Sequence, residues 1–284
     1  MDIQFHTSLE WVVICLLGTF DFLNFLNFGK KKLNIQNLDL YFRDQNGTIA
    51  NNLPDPNQGF QDSSIGSNVF DVIEKYFSNT EVPVCGSNIF ILLKRYPNEV
   101  EVSRLVSLIR SHHAVLHVMT STTPSGGSQP KTMYSIATKT NGMGVFVYDF
   151  CFWATMRMFP LYDIPYPVYA TTTKVSGSGT KTFPDFHPST SGHYWVSITF
   201  QDHFPDDSFQ KITLRWANSQ DSGDIFSNSG QTSVYGNYKA AESYWYHLDY
   251  NMTLDYYYLS QDVQNLQIRF YTSNPPSNWL PYSD

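Results

Sequence analysis

Between Cys85 and Asp149 the chain alternates continuous apolar runs with segments whose apolar residues recur at helical spacing. Asn88–Lys94 (NIFILLK) reads as a strand buried on both faces of a parallel sheet. Leu105, Val106 and Ile109 then predict a helix, with Glu99 and Glu101 near its start, where the helix dipole favours negative charge. Ala114–Met119 (AVLHVM) is a second buried run, closed by the turn-rich TSTTPSGGSQP. A helix over about Thr132 to Lys139, stopped by Asn141-Gly142, leads to a third strand, Gly144–Tyr148. Strands and helices alternating at this spacing predict right-handed βαβ crossovers and a doubly wound sheet. Upstream, Val69, Val72, Ile73, Tyr76 and Phe77 form one helical stripe that should pack beside Ile89–Leu93, with Ser64 or Ser67 as the cap. Leu33–Arg43 reads as a strand with Thr48–Leu53 as its hairpin partner.

After Asp149, Phe150–Phe159 predicts a last helix over the sheet edge, and Pro160, Pro165 and Pro167 mark a domain boundary. Beyond Tyr169 the period changes to two. Val196/Ile198/Phe200, Ile212/Leu214/Trp216, Leu254/Tyr256/Tyr258 and Leu266/Ile268/Phe270 alternate between turn-rich clusters, which predicts an antiparallel β-sandwich. The expected architecture is α/β plus all-β: an α/β domain over 33–160 and a sandwich over 166–284.

Residues 1–28 support three readings. Trp11–Phe20 has the length of a signal-peptide apolar region, but Asp2 and Glu10 precede it and no Lys or Arg does. Alternatively Val12–Leu17 is a degenerate first strand of the sheet. Residues 11–28 also approach membrane-spanning length, at the expense of burying Asp21, Asn24 and Asn27 in lipid.

Composition narrows the class. Aromatic residues make up 16% of the 284, as many as all charged residues together at 15%, which suits β-structure. A net charge of −7 with one short basic run, Lys30–Lys32, argues against a nucleic-acid footprint. Three cysteines make no disulfide framework. Cys85 and Cys151 could pair, but Cys85 lies before one strand and Cys151 after a parallel one, toward opposite ends of the sheet, which argues against a bridge.

The runs CGSNIFILLKRYPNE, TNGMGVFVYDFCF, VSGSGTKTFPDF, ITFQDHFPDDSF, TLRWANS and LQIRFYT…WLPY resemble a nematode family that couples a von Willebrand factor A-like domain to a β-rich tail. The resemblance covers roughly Phe60 to the end and implies an incomplete A-like domain. It also implies a test, because a functional A domain holds a divalent ion at the carboxyl ends of its strands through an Asp-x-Ser-x-Ser motif. That motif is missing here, and Lys94-Arg95-Tyr96-Pro97 stands where the family commonly has Asp-Gly. Hard cations need oxygen ligands, so two cationic side chains argue against a metal.

Other candidate chemistry is sparse, and each case has a bland reading. Asp202, Asp206 and Asp207 are a calcium candidate, though Pro-Asp and Asp-Asp also simply favour turns. His112, His113 and His117 resemble a metal cluster, but a turn separates them and His117 reads as a core residue. Ser125-Gly126-Gly127-Ser128 fails the phosphate-loop spacing and reads as a flexible turn. Ser176 lacks the surroundings of a nucleophile elbow. Asn46 and Asn251 open glycosylation sequons, a pattern that also arises by chance. About half of the aromatics from Tyr244 to Tyr258 should be core, leaving the others as an outward face for a protein or glycan partner. No catalytic or cofactor-binding residue emerges. The expected function is a non-enzymatic, secreted or extracellular interaction protein without a cofactor. The alternative is a hydrolase-like enzyme using the crevice at the carboxyl ends of the sheet. The terminal Trp279-Leu280-Pro281-Tyr282 should fold back onto the sandwich or the Pro160–Pro167 linker, because exposing Trp and Leu is costly.

Overall fold

The computed structural model describes residues 11–16, 62–78, 80, 84–160 and 164–282. The Leu33–Leu53 hairpin and Asn46 lie outside the described residues. Strands β1 (Trp11–Leu16), β2 (Asn88–Leu93), β3 (Val115–Ser121) and β4 (Gly144–Val147) form a parallel sheet in the order β1-β2-β3-β4. Pairing of β1 with β2 is the arrangement that the first-strand reading of the amino-terminal segment describes. Helices α1 (Val69–Phe77) and α2 (Ser103–Ser111) carry the apolar stripes read from the sequence, and α3 (Thr132–Lys139) has the expected extent. The cap of α1 differs from expectation. Asn68 holds the position without a side-chain hydrogen bond, and neither Ser64 nor Ser67 caps it.

The doubly wound expectation needs correcting. With crossovers of one hand, a strand order that never reverses puts every crossover helix on the same face. Accordingly α1, α2 and α3 all pack with Ile89, Ile91, Leu93, Leu116 and Val118. On the opposite face, Phe90, Met119, Val145 and Val147 pack instead against Tyr238, Ala240 and Tyr271 of the carboxyl-terminal half. A sandwich sheet takes the place of a second helical layer.

That half is an antiparallel sandwich. One sheet has the order β10-β7-β12-β5, from β5 (Tyr166–Val175), β7 (Gly192–Thr199), β10 (Tyr238–Trp245) and β12 (Gln264–Thr272). The other has the order β6-β11-β8-β9, from β6 (Ser178–Phe186), β8 (Phe209–Ala217), β9 (Ser222–Asn228) and β11 (Tyr250–Tyr258). The four alternating runs fall in or at the end of β7, β8, β11 and β12, and their apolar members fill the space between the sheets together with Trp245 and Tyr250. The described residues thus stack in four layers: helices, parallel sheet, and two antiparallel sheets.

Strand β12 serves two cores at once. Leu266, Ile268 and Phe270 point into the sandwich, while the alternate residues Gln267, Arg269 and Tyr271 are 0% exposed against the α/β half. In a free-standing sandwich these three would face water. Here Gln267 Oε1 accepts from the Gly144 N–H at 2.8 Å, and Asn237 Oδ1 accepts from the Phe146 N–H at 2.7 Å. These are alternate amides of β4, the last strand of its sheet, so side-chain amides fill the role of a further strand and close an edge that would otherwise invite pairing. The close approach demands a glycine: a Cβ on Gly236, at φ +59°, would meet Phe146 O at 1.7 Å.

The Arg269 guanidinium is the second bolt. Its five N–H donors reach Gly142 O, Thr171 O, Ile268 O, Thr138 O and Thr172 Oγ1, so a buried cation is solvated without a carboxylate among these partners. A relay completes the joint. The Gln267 N–H donates to Thr199 Oγ1 at 2.9 Å, and Tyr134 donates to Asn265 O at 2.8 Å. Since Tyr134 has one proton, the 2.8 Å contact between its oxygen and Thr199 Oγ1 is donated by Thr199.

Several smaller expectations resolve differently. Phe150–Phe159 is not one helix but a 3₁₀ turn, Asp149–Cys151, followed by the short α4 (Phe152–Met156). Cys85 is exposed, Cys151 is buried, and both thiols are free. The carboxyl-terminal tail does fold back, but onto the α/β half rather than the sandwich or linker. Trp279 stacks on His113 with centroids 5.0 Å apart, Asn141 Nδ2 donates to Pro281 O at 3.1 Å, and Tyr282 donates to Ala114 O at 3.2 Å. Arg110 lies over the Tyr282 ring, and burial pushes that phenol up to about 12.

Replacing Arg269 with Ala should cost about 3–5 kcal/mol in urea unfolding, because it opens a cavity and strips the buried Gly142 and Ile268 carbonyls and the part-buried Thr138 and Thr171 carbonyls of a donor. Deleting Asn278–Asp284 should lower the melting temperature and speed amide exchange around Gly86 and His113–Ala114, whereas a linker- or sandwich-docked tail would leave those amides unchanged.

Candidate functional site

The carboxyl ends of the parallel strands bring together residues far apart in sequence. Lys94 follows β2, Ser121 ends β3, Thr123 follows it, and Asp149 follows β4. The Lys94 ammonium lies 3.1 Å from Ser121 Oγ and 3.0 Å from Thr123 Oγ1, and also contacts Thr123 O and Asp149 Oδ2. Ser121 donates to the other Asp149 oxygen, and Tyr96 donates to Ser121 O at 2.8 Å. Partial burial raises the Asp149 pKa, but hydrogen bonds from Lys94 and Ser121 and the charge of Lys94 together hold it below the usual carboxylate range.

A ring of hard oxygens therefore does converge here, and its cation is the Lys94 ammonium. Arg95 turns away, donating to Ile65 O at 2.7 Å and Asp62 O at 3.1 Å. The glycine-rich loop spends its main chain on internal bonds: Gly127 N–H donates to Ser63 O, and Gly126 O accepts from Tyr96 N–H. Ser121 and Asp149 were missed as candidates. They stand 28 residues apart without a local motif, and only strand order makes them neighbours.

In the acidic loop, Asp202 joins the two halves and Asp206 bonds locally. Asp202 accepts from Lys131 Nζ at 2.7 Å and Asn265 Nδ2 at 2.6 Å, with His203 Nδ1 at 3.0 Å. Asp206 accepts from Ser208 N and Oγ and from Gln201 Nε2, and Asp207 stays exposed. Desolvation opposes the charge on both Asp202 and Asp206, but their hydrogen bonds prevail and lower each pKa to about 2. Among the described residues no group of three or more His, Cys, Asp or Glu could hold a metal ion. His117 is buried, accepts from the Met143 N–H at 3.2 Å, and is held neutral by desolvation and the nearby Arg269, with its pKa at about 3. His112 and His113 lie elsewhere, in the turn after α2. Ser176 donates to Gln261 O in the turn between β5 and β6. Asn251 is exposed on β11.

An aromatic surface also lies on β10. Tyr238 and Ala240 on β10 meet the α/β half, but the same strand continues past it, so Glu242, Tyr244 and Tyr246 stand in solvent beside His193. Tyr244 packs edge-on against Tyr246 at 5.3 Å and His193 at 5.2 Å.

Residues 171–273, most of the sandwich, match the family described as Domain of unknown function (DUF7154). No curated protein matches the chain. Among solved structures, the pre-peptidase C-terminal domain of a collagenase from Bacillus anthracis is 14% identical, covering 35% of this chain and 87% of its own, at a TM-score of 0.24. A carbohydrate-binding module of Cellvibrio mixtus lichenase 5A, solved with cellotriose, is 9% identical over 39% of this chain and 92% of its own, at 0.23. The P-domain of Macrobrachium rosenbergii nodavirus is 15% identical over 36% and 92%, at 0.20. Overlap this slight assigns no ligand and no activity.

Asp202 yields a pH prediction. A carboxyl whose folded pKa lies below its unfolded value stabilises the fold above the unfolded pKa, near 4, and loses that contribution as pH falls toward 2. Asp202→Asn should therefore reduce stability at neutral pH by about 1–2 kcal/mol and flatten the loss between about pH 4 and 2, read by urea unfolding across pH.

Proposed function

We propose that this is a non-enzymatic interaction protein whose α/β half is a divergent von Willebrand factor A-like domain without a metal. The observation that carries the reading is the Lys94 ammonium at the carboxyl end of the sheet, bonded to Ser121, Thr123 and Asp149. A divalent ion there would have to displace a covalently tethered cation and leave its charge unpaired nearby. The same cluster weakens the hydrolase alternative. Ser121 is 0% exposed and donates its proton to Asp149, so it offers no accessible nucleophile.

The binding face is the outrun of β10 and β7, where Tyr244, Tyr246 and His193 are exposed beside Glu242. Two tyrosines present apolar ring and hydroxyl together, which suits a protein surface or a sugar ring with hydroxyls around it. Replacing Tyr244 and Tyr246 with Ser should abolish capture of the partner in a pull-down or on a glycan array while leaving the melting temperature nearly unchanged. Equal capture by both proteins would remove this face from the account.

An extracellular location is part of the proposal, supported by the apolar run near the amino terminus and the exposed Asn251 sequon. Among the described residues no helix is long and apolar enough to cross a membrane. Strand β1 competes with cleavage, because a segment built into the sheet must be retained. Expression in an animal cell line should give protein in the medium with a glycosidase-sensitive mass. Intact unglycosylated protein confined to the cytosol, with Met1–Leu16 still attached, would reverse the location.

A further inference from the structure

Two turns meet at one end of the sandwich, the β6–β7 turn (187–191) and the β10–β11 turn (246–249), joined by a 2.9 Å hydrogen bond from the His247 N–H to Ser191 Oγ. Each brings an exposed histidine, and the rings of His187 and His247 stand 4.7 Å apart between centroids at an interplanar angle of 69°. Both rings are held by the same nitrogen. His187 Nδ1 lies 2.7 Å from Asp249 Oδ1, and His247 Nδ1 lies 2.7 Å from Pro188 O. A carbonyl or carboxylate oxygen can only accept, so each Nδ1 carries the proton and each neutral ring keeps its lone pair on Nε2.

We propose that His187 and His247 form a two-histidine site for a borderline transition-metal ion such as Zn²⁺ or Ni²⁺, bound through both Nε2 atoms, with water completing the coordination. Pinning of Nδ1 by a carboxylate or main-chain carbonyl is the arrangement that orients metal-ligating histidines and raises their basicity. The ring spacing agrees with it. Two imidazoles on one ion, with metal–nitrogen bonds of about 2.1 Å and an angle between right and tetrahedral, have centroids about 4.5–5.2 Å apart. Neither ring is buried, so coordination meets little desolvation cost. With two protein ligands rather than three or four, this is an open site, and it falls outside the clusters of three or more ligands sought among the described residues. It needs neither the Lys94 cluster nor the Tyr244 face.

Calorimetric titration of the full chain with ZnCl₂ at neutral pH, without chelating buffer or affinity tag, tests the assignment. One ion per chain should bind the wild type, and His187→Ala and His247→Ala should each weaken binding at least tenfold while melting as the wild type does. Asp249→Ala should weaken it about tenfold through loss of orientation, and His193→Ala should leave it intact. Absence of binding to the wild type, undiminished binding in both His187→Ala and His247→Ala, or a loss confined to His193→Ala would overturn the proposal.

Discussion

With helices on one face, this short parallel sheet still has its other face and its β4 edge to cover. In this chain one element answers both. The sandwich sheet carrying β12 and β10 covers the face with Tyr238, Ala240 and Tyr271, and side-chain amides from Asn237 and Gln267 satisfy the edge of β4. Everything else in the interface accommodates that fit. Gly236 lets the chain approach β4, Arg269 supplies donors to carbonyls on both sides, and Tyr134 carries hydrogen bonding from α3 into β7 and the start of β12. Because the buried groups are polar, partial separation would leave several unsatisfied at once, each at a cost of about 1–3 kcal/mol. The joint therefore behaves as all or nothing.

This explains what the sequence could and could not reveal. Local periodicity located α1, α2 and α3 and the buried strands β2, β3 and β4, because each element's own apolar residues set its face. It also found β7, β8, β11 and β12. It passed over β9 and β10, whose runs SGDIFSN and YKAAESYW carry too few alternating apolar residues to register. The layer arrangement was misjudged for a related reason. A buried parallel sheet needs cover on both faces, and helices are the usual cover; nothing in the α/β segment itself says that a sheet from the other half will supply it. Gln267 and Arg269 look like the water-facing half of an amphipathic strand, and only the assembled structure shows that face to be an interior one.

The same reasoning applies to the site. Lys94 was legible as a cation at the carboxyl end of β2, but its partners Ser121 and Asp149 come from the ends of other strands and meet only through sheet order. The three aspartates from 202 to 207 drew attention by proximity in sequence, yet the partners of Asp202 are Lys131 from the start of α3 and Asn265 from β12. Asp202 thus links the two halves, while Asp206 bonds within its own loop to Ser208 and Gln201. Where the β10–β7 face outruns the α/β half, Tyr244 and Tyr246 stay exposed.

The central claim is that the α/β half and the sandwich form one cooperative unit. Urea unfolding followed by pulsed hydrogen exchange and mass spectrometry tests it directly, comparing peptides from β2 and β3 with peptides from β8 and β11. The account predicts that both sets lose protection at the same urea concentration, in a single transition. A sandwich that stays protected after β2 and β3 have exchanged would show two independent domains and contradict it.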